Sequence, residues 1–138
     1  MENKELLLEY LCNCLPYKIY VNISGFKTIL RNIYWNDFQY VVNVSPFGTG
    51  HGSKGKPLFD TNGNCLVKPY IRKMSSMTLE EELEFITIGD TILKLGNKGH
   101  TCICSIEQIK YLNKHHLDYL GLIDLGLALE AEKDMYKL

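Results

Sequence analysis

The segment from Ser45 to Asn64 most constrains how this chain can fold, because it holds five of the eleven glycines. Glycine loses more conformational entropy on ordering than any other residue, so a run of this composition does not hold a long regular element. We therefore expect one long loop here, closed by a tight turn at its end. Loops longer than about 12 residues in compact domains are usually functional or disordered, which makes Gly48–Gly55 a candidate lid over a ligand.

The segments on either side of this loop carry the patterns of helices and strands. Apolar residues recur at helical spacing in Glu2–Cys14, and Pro16 ends the amphipathic helix that this spacing predicts. Four stretches rich in β-branched and aromatic residues predict strands at Lys18–Ile23, Lys27–Trp35, Phe38–Val44 and Cys65–Arg72. Short turns join the first three of these, so an antiparallel meander is the simplest arrangement.

Capping patterns predict further helices in the second half of the chain. Thr78 and Glu81 form a capping box, in which the threonine hydroxyl accepts from a helix amide and the glutamate reaches back. This predicts a helix to about Ile86, and a similar pattern predicts another from Ser105 to about His115. Asp118 can cap a short third helix that ends at Gly126. The predicted fold is a single α+β domain over residues 1–138, in which a small antiparallel sheet is packed by an N-terminal helix and two or three further short helices.

Charge and cysteine content exclude several classes of function. Fifteen basic and sixteen acidic residues give a net charge of −1, whereas a protein that binds duplex nucleic acid usually carries a basic excess. No apolar run approaches the roughly 18 residues needed to cross a bilayer, so no membrane partner is expected. The five cysteines, an odd number, indicate reduced thiols in a cytoplasmic protein.

Three blocks of sequence, spread over most of the chain, carry a family resemblance. The first joins Tyr10–Cys12 to Leu15–Tyr17, the second is Lys68–Thr78, and the third runs from Tyr111 to Ala131. Together they resemble small proteins encoded by bacteriophages and prophages of gut bacteria, a family with no assigned activity. The resemblance implies a phage origin and the cytoplasm of an infected bacterial host, and it leaves the chemistry open.

The second block concentrates groups that suit an anion. It places cations, a tyrosine, hydroxyls and a capped helix N-terminus within eleven residues, and both helix amides and arginine forks bind phosphate. The alternative is an ordinary strand edge and turn with solvated charges. The Gly-rich loop adds two lysines and a histidine, although its spacing matches neither a Walker nor a Rossmann motif. The predicted ligand-binding residues are His51, Lys54, Lys56, Lys68, Tyr70, Arg72, Ser75, Ser76 and Thr78.

Metal binding and catalysis are weaker interpretations of the same sequence. Cys12 and Cys14 are separated by a single residue, as are Cys102 and Cys104, and this gap is poor for tetrahedral zinc. We therefore predict no metal and no cofactor. A histidine at 115 or 116 beside Asp118 suggests an oriented imidazole, but no nucleophile motif accompanies it.

Together with the phage origin that the resemblance implies, these features predict a non-enzymatic phage accessory protein that binds and sequesters a small anionic, nucleotide-derived ligand, such as a signal of host antiviral defence. Two alternatives stay open: a module that inhibits a host protein through its aromatic residues, and a small hydrolase of a signalling nucleotide. The nine tyrosines favour stacking surfaces and self-association into a dimer or higher oligomer.

Overall fold

A computed structural model of the chain describes residues 2–45, 55–88 and 106–136. Over these ranges the fold is α+β, with an N-terminal helix, a six-stranded sheet and two further helices. The helices are α1 (Asn3–Cys14), α2 (Leu79–Ile88) and α3 (Ile106–Lys114). The strands are β1 (Tyr20–Ile23), β2 (Phe26–Trp35), β3 (Tyr40–Ser45), β4 (Lys56–Pro57), β5 (Val67–Ile71) and β6 (Leu129–Glu130).

The sheet confirms the predicted meander and extends it on the far side of β1. Its strand order is β4-β3-β2-β1-β5-β6, so the first four strands follow one another and β5 crosses back to pair with β1. All these pairs are antiparallel except β5 with β6, which is parallel. The strand β4 lies inside the Gly-rich run, which therefore holds a two-residue strand as well as loop. The Lys56–Pro57 dipeptide suits this place, because an edge strand tolerates proline.

The core lies on one face of the sheet, beneath α1. In β5 the burial alternates strictly, with Val67, Pro69 and Ile71 buried and the residues between them half-buried, as the two-residue period of a strand requires. On the facing side, α1 buries one stripe at helical spacing. Leu7, Tyr10, Leu11 and Cys14 make up that stripe. The hydroxyl of Tyr10 donates to the carbonyl of Leu117 at 3.0 Å, so this buried polar group has a hydrogen-bond partner.

The segment after α3 differs from the prediction, because it forms consecutive turns and no third short helix. Asp118 does cap it as expected, since its two carboxylate oxygens accept from the amides of Leu122 and Ile123 at 2.7 and 3.0 Å. Gly126, with φ of +77°, closes the turns with the backbone pattern of a helix C-terminus. The prediction failed because the following residues return at once to the sheet to form β6.

No helix among the described residues is long and apolar enough to span a membrane.

Candidate anion-binding site

The block Lys68–Thr78, predicted to bind an anion, divides into two parts with different surroundings. Lys68 and Tyr70 belong to β5 and share the face of the sheet opposite the core. From Arg72 onward the chain leaves the sheet, passes through a 3-10 turn at Met74–Ser76 and enters α2. The first part is half-buried on this outer face of the sheet, and the second part is occupied by contacts within the protein.

Arg72 uses all five of its N–H groups inside the protein. Two of them bind the carboxylate of Glu81 side by side, at 2.8 and 2.6 Å. The others donate to the hydroxyl and the carbonyl of Ser76 at 3.2 and 3.1 Å, and to the carbonyl of His115 at 3.4 Å. Because a guanidinium has five donors, an anion could bind Arg72 only by displacing one of these acceptors.

Glu81 is equally saturated as an acceptor. Besides the two bonds from Arg72, it accepts from the amide of Thr78 at 2.9 Å and lies 3.3 Å from Nδ1 of His115. One carboxylate oxygen thus has two donors, and the other has Arg72 as donor with the ring nitrogen of His115 beside it, which leaves the group little capacity for a further donor. Hydrogen bonding from Arg72 is the main reason that the pKa of Glu81 is lowered to about 2. Glu81 therefore stays ionised over the whole range in which the protein would function.

The hydroxyls of the second part also have protein partners. Thr78 accepts from the amide of Glu81 at 3.1 Å and completes the predicted capping box. Ser76 donates to the carbonyl of Lys73 at 2.7 Å while it accepts from Arg72, whereas Ser75 is exposed in the turn. We name this group, formed by Arg72, Ser76, Thr78, Glu81 and His115, the Arg72–Glu81 cluster. The hydrogen bonds of this cluster connect the end of β5 to the start of α2 and to the end of α3.

The other predicted site residues lie away from this block. Lys56 is exposed on β4, and three strands separate β4 from β5. At the usual spacing of strands this places the two backbones about 19 Å apart. His51 and Lys54 lie outside the described residues, as does most of the predicted lid.

The outer face of β5 continues onto two neighbouring strands that the sequence analysis did not include in the site. Asn22 of β1 pairs with Lys27 of β2 on one side and with Lys68 of β5 on the other. Directly opposed residues project from the same face of a sheet, so Lys27, Asn22 and Lys68 form a row on this face across three strands. The carboxamide of Asn22 also donates to the hydroxyl of Tyr70 at 2.9 Å. We name these residues, together with Tyr20, the β1–β2–β5 row.

Tyr20 gives the row an aromatic surface next to its positive charge. It lies two residues before Asn22 and therefore on the same face. The amines of Lys18 and Lys27 lie 5.0 and 5.6 Å from the centre of its ring, which is within cation–π range. The alternation of β1 could have placed Tyr20 beside Asn22 from the sequence, but only the strand pairing shows that Lys27 and Lys68 join them.

The histidines do not form the imidazole–carboxylate pair that was considered with Asp118. That carboxylate is occupied by backbone amides, and His116 is buried with Nε2 2.5 Å from the carbonyl of Lys18. Its ring stacks on Tyr136 at 3.6 Å between centres. Burial lowers the pKa of His116 to about 4, so it is neutral at physiological pH and serves the packing.

The cysteines that the structure describes do not form a metal site. Among the described residues no three histidine, cysteine or acidic side chains come together to hold a metal ion. Cys14 lies in the core, where burial raises the pKa of its thiol to about 12. The other pair, Cys102 and Cys104, lies outside the described residues.

A comparison of the chain with models of protein families, with curated proteins and with solved structures found no match. The phage family therefore stays a prediction from sequence blocks, and the geometry of the two clusters is what supports a function.

Proposed function

We propose that this protein binds a small anionic ligand that carries a planar ring, such as a nucleotide, on the outer face of its sheet, and that it does so without converting the ligand. The observation that carries this proposal is the β1–β2–β5 row, in which Lys27 and Lys68 are the strand partners of Asn22 on either side, and Tyr20 and Tyr70 lie on the same face. In this arrangement the phosphate of the ligand lies near the amines of Lys27 and Lys68, and the planar ring of the ligand stacks on the ring of Tyr20.

The charges of the row support an anion. Among the residues that the structure describes, the acidic partner of Lys27 is Glu132, at 3.1 Å, and both side chains are largely exposed. An exposed ion pair contributes less than about 1 kcal/mol, so a phosphate can replace the carboxylate at small cost. Hydrogen bonds between an amine and a charged oxygen are among the stronger contacts that a protein makes.

The polar and aromatic groups of the row support the rest of the ligand. The side chain of Asn22 is held at both ends, since its amide nitrogen donates to Tyr70 and its oxygen accepts from the backbone amide of Gly25 at 3.2 Å, so its direction is defined before any ligand arrives. A base or a similar ring stacked on an aromatic side chain contributes roughly 1–3 kcal/mol. Two positive charges with a ring surface recognise a mononucleotide or a cyclic nucleotide better than a bare phosphate.

The absence of conversion is proposed from the Arg72–Glu81 cluster. Among the described residues, Glu81 and His115 most resemble catalytic groups, and they lie against each other and Arg72 rather than on an open surface. A cytoplasmic phage protein of this kind would sequester its ligand, and the family resemblance suggests a signal of host defence as that ligand.

A thermal-shift panel of linear and cyclic nucleotides tests the proposal. A ligand at 100 times its dissociation constant adds about 2.7 kcal/mol to the free energy of unfolding, which is a shift of several degrees for a domain of this size. Lys27→Met and Lys68→Met should each weaken binding roughly tenfold or more, because each removes a charged hydrogen bond. Lys110→Met is the matched control, since that lysine is exposed on α3.

Three results would overturn the proposal in different ways. Flat melting curves across the panel would remove the nucleotide ligand altogether. Recovery of a chemically altered nucleotide would replace sequestration with the hydrolase alternative. Equal loss of affinity in the Lys27, Lys68 and Lys110 variants would show that general charge attracts the ligand and that the row has no special part.

A further inference from the structure

The outer face of the sheet carries an exposed tyrosine beyond the β1–β2–β5 row. Tyr34 of β2 pairs with Val41 of β3, and the neighbouring pair, Ile33 and Val42, packs in the core. Because side chains alternate along a strand, Tyr34 lies on the outer face, and it is 40% exposed. A methyl group on Gly55 would lie 2.8 Å from the hydroxyl oxygen of Tyr34. The backbone of Gly55 therefore holds one end of the ring while part of the ring faces solvent.

An asparagine pair lies on the same face, between Tyr34 and the row. Asn32 and Asn43 are directly opposed on β2 and β3, and the side-chain amide of Asn43 donates to the side-chain oxygen of Asn32 at 3.0 Å. Asn32 is two residues before Tyr34 and so shares its face. The bond leaves the amide group of Asn32 and the oxygen of Asn43 for other partners. The pair therefore offers a donor and an acceptor side by side, which are the groups that the edge of a nucleic-acid base binds.

A lysine lies between the two tyrosines of this face. Lys18 is exposed, two residues before Tyr20, and its amine is 5.0 Å from the centre of the Tyr20 ring. The amide of Leu30 donates to the carbonyl of Ile19 at 3.0 Å, so the chain at Lys18 still runs beside β2, level with the bulge at Arg31. Over the ranges that the structure describes, Lys18 has no acidic partner. Its positive charge is therefore available to an anion between the two rings.

We infer that this outer strip binds a short single-stranded oligonucleotide, with one base stacked on each tyrosine and the phosphates between them beside the lysine. The strip consists of Lys18, Tyr20, Asn32, Tyr34 and Asn43. The inference rests on the proposed function and extends its ligand from one nucleotide to several. Proteins that bind single strands combine aromatic rings, on which bases of any sequence stack, with cations that follow the backbone. The net charge of −1 argues against a duplex, whereas a strand of a few nucleotides needs only the local positive charge of this face.

The distance between the two rings sets the length of the strand. Tyr20 opposes Ile29, and Tyr34 lies five positions beyond Ile29, of which the bulge takes one. At the usual rise and spacing of strands, the backbones of Tyr20 and Tyr34 are therefore roughly 14 Å apart. Three steps of a stacked strand cover only about 10 Å, so a tetranucleotide reaches both rings only with its bases unstacked. This is the state in which single strands are recognised, and a duplex cannot adopt it without losing its base pairs.

Calorimetry with thymidine monophosphate and a single-stranded thymidine tetranucleotide tests the inference. The wild type should bind the tetranucleotide about tenfold more tightly than the mononucleotide, because a second base stacks. Tyr34→Leu should weaken binding of the tetranucleotide by about fivefold to a hundredfold and leave binding of the mononucleotide unchanged. Tyr34→Phe keeps the ring and should bind both probes as the wild type does. Tyr40→Leu is the matched control, because Tyr40 is 42% exposed on the opposite face of the same hairpin.

Salt dependence separates the phosphate contact from the stacking. Lys18→Met should reduce the slope of log affinity against log salt for the tetranucleotide by about 0.7, and Lys110→Met, on α3, should leave it unchanged. Equal affinities of the wild type for the two probes, or equal losses in Tyr34→Leu and Tyr40→Leu, would overturn the inference and leave the mononucleotide site intact. Binding of neither probe would also overturn it, whereas the proposed function fails only if the whole nucleotide panel fails to bind. Protection of the β2 amides at rising protein concentration, without either probe, would assign this face to a second copy instead.

Discussion

Replacement of Glu81 by glutamine should destabilise the protein far more than the same change at the adjacent Glu82. Glutamine keeps the oxygen that accepts from Arg72 and from the amide of Thr78, and it remains a good residue for a capping box. Its amide group, however, takes the place of the oxygen that faces Arg72 and His115. The histidine can change its tautomer and accept from the new amide, but arginine has donors only. The loss of stability therefore arises at Arg72, because its guanidinium keeps its charge and loses the carboxylate that balanced it.

The magnitude follows from the exposure of the two side chains. Breaking a fully buried ion pair costs about 3–5 kcal/mol, and losing an exposed one costs less than about 1 kcal/mol. The side chains of Arg72 and Glu81 are 22% and 15% exposed, so we expect a loss of about 2 kcal/mol. For a domain of this length this corresponds to a fall in Tm of roughly 6–10 °C.

Chemical denaturation of four proteins provides the assay: the wild type, Glu81→Gln, Arg72→Lys and the double variant. Lysine cannot bind a carboxylate with two parallel donors, so Arg72→Lys should also cost about 2 kcal/mol. Because both changes break the same contact, the double variant should be more stable than the sum of the two losses predicts, by about 1 kcal/mol or more. Glu82→Gln, on the exposed face of α2, should change the free energy of unfolding by less than about 0.5 kcal/mol.

Equal stabilities of Glu81→Gln and Glu82→Gln would refute this account of the cluster. The pH dependence provides an independent check. The pKa of Glu81 is about 2 in the folded protein and ordinary in the unfolded one, so its contribution is complete above about pH 5. As the pH falls from 5 towards 2, protons bind the unfolded chain first, and the contribution is lost. The curve for Glu81→Gln should be flatter than that of the wild type in this window.

Two further predictions concern groups that tie distant parts of the chain together. His116 has a pKa of about 4 in the folded state against an ordinary 6.5, so the free energy of unfolding should fall by up to about 3 kcal/mol as the pH drops from 6.5 to 4. His116→Asn, which tolerates the φ of +59°, should remove most of that slope above pH 5, and a slope equal to that of the wild type would exclude His116 as its source. The hydroxyl of Tyr136 accepts from the amide of Tyr20 and donates to the carbonyl of Tyr70, both at 2.8 Å, and so bridges β1 and β5 where their ladder ends. Tyr136→Phe should cost about 1–2 kcal/mol and speed hydrogen exchange at the amide of Tyr20, whereas unchanged exchange there would contradict a bridging role.

The sequence by itself determined the elements whose causes are local. The apolar spacing of Glu2–Cys14 and the proline after it predict α1 to within a residue, because both signals act within one or two turns of chain. The capping box of Thr78 and Glu81 is confirmed for the same reason, since its two hydrogen bonds span three residues. The meander of the first strands is also local, because short turns leave neighbouring strands few other ways to pair.

Only the tertiary structure decided what the charged side chains do. In the sequence Arg72 has the features of a phosphate ligand, and the fold gives it Glu81, Ser76 and the end of α3 as acceptors. The sequence contains nothing that joins Lys27 to Lys68, which are forty-one positions apart; the pairing of β1 with both β2 and β5 brings them to one row. A contact between distant residues depends on strand register and crossover, and these are set by the burial of the whole core rather than by any short stretch of chain.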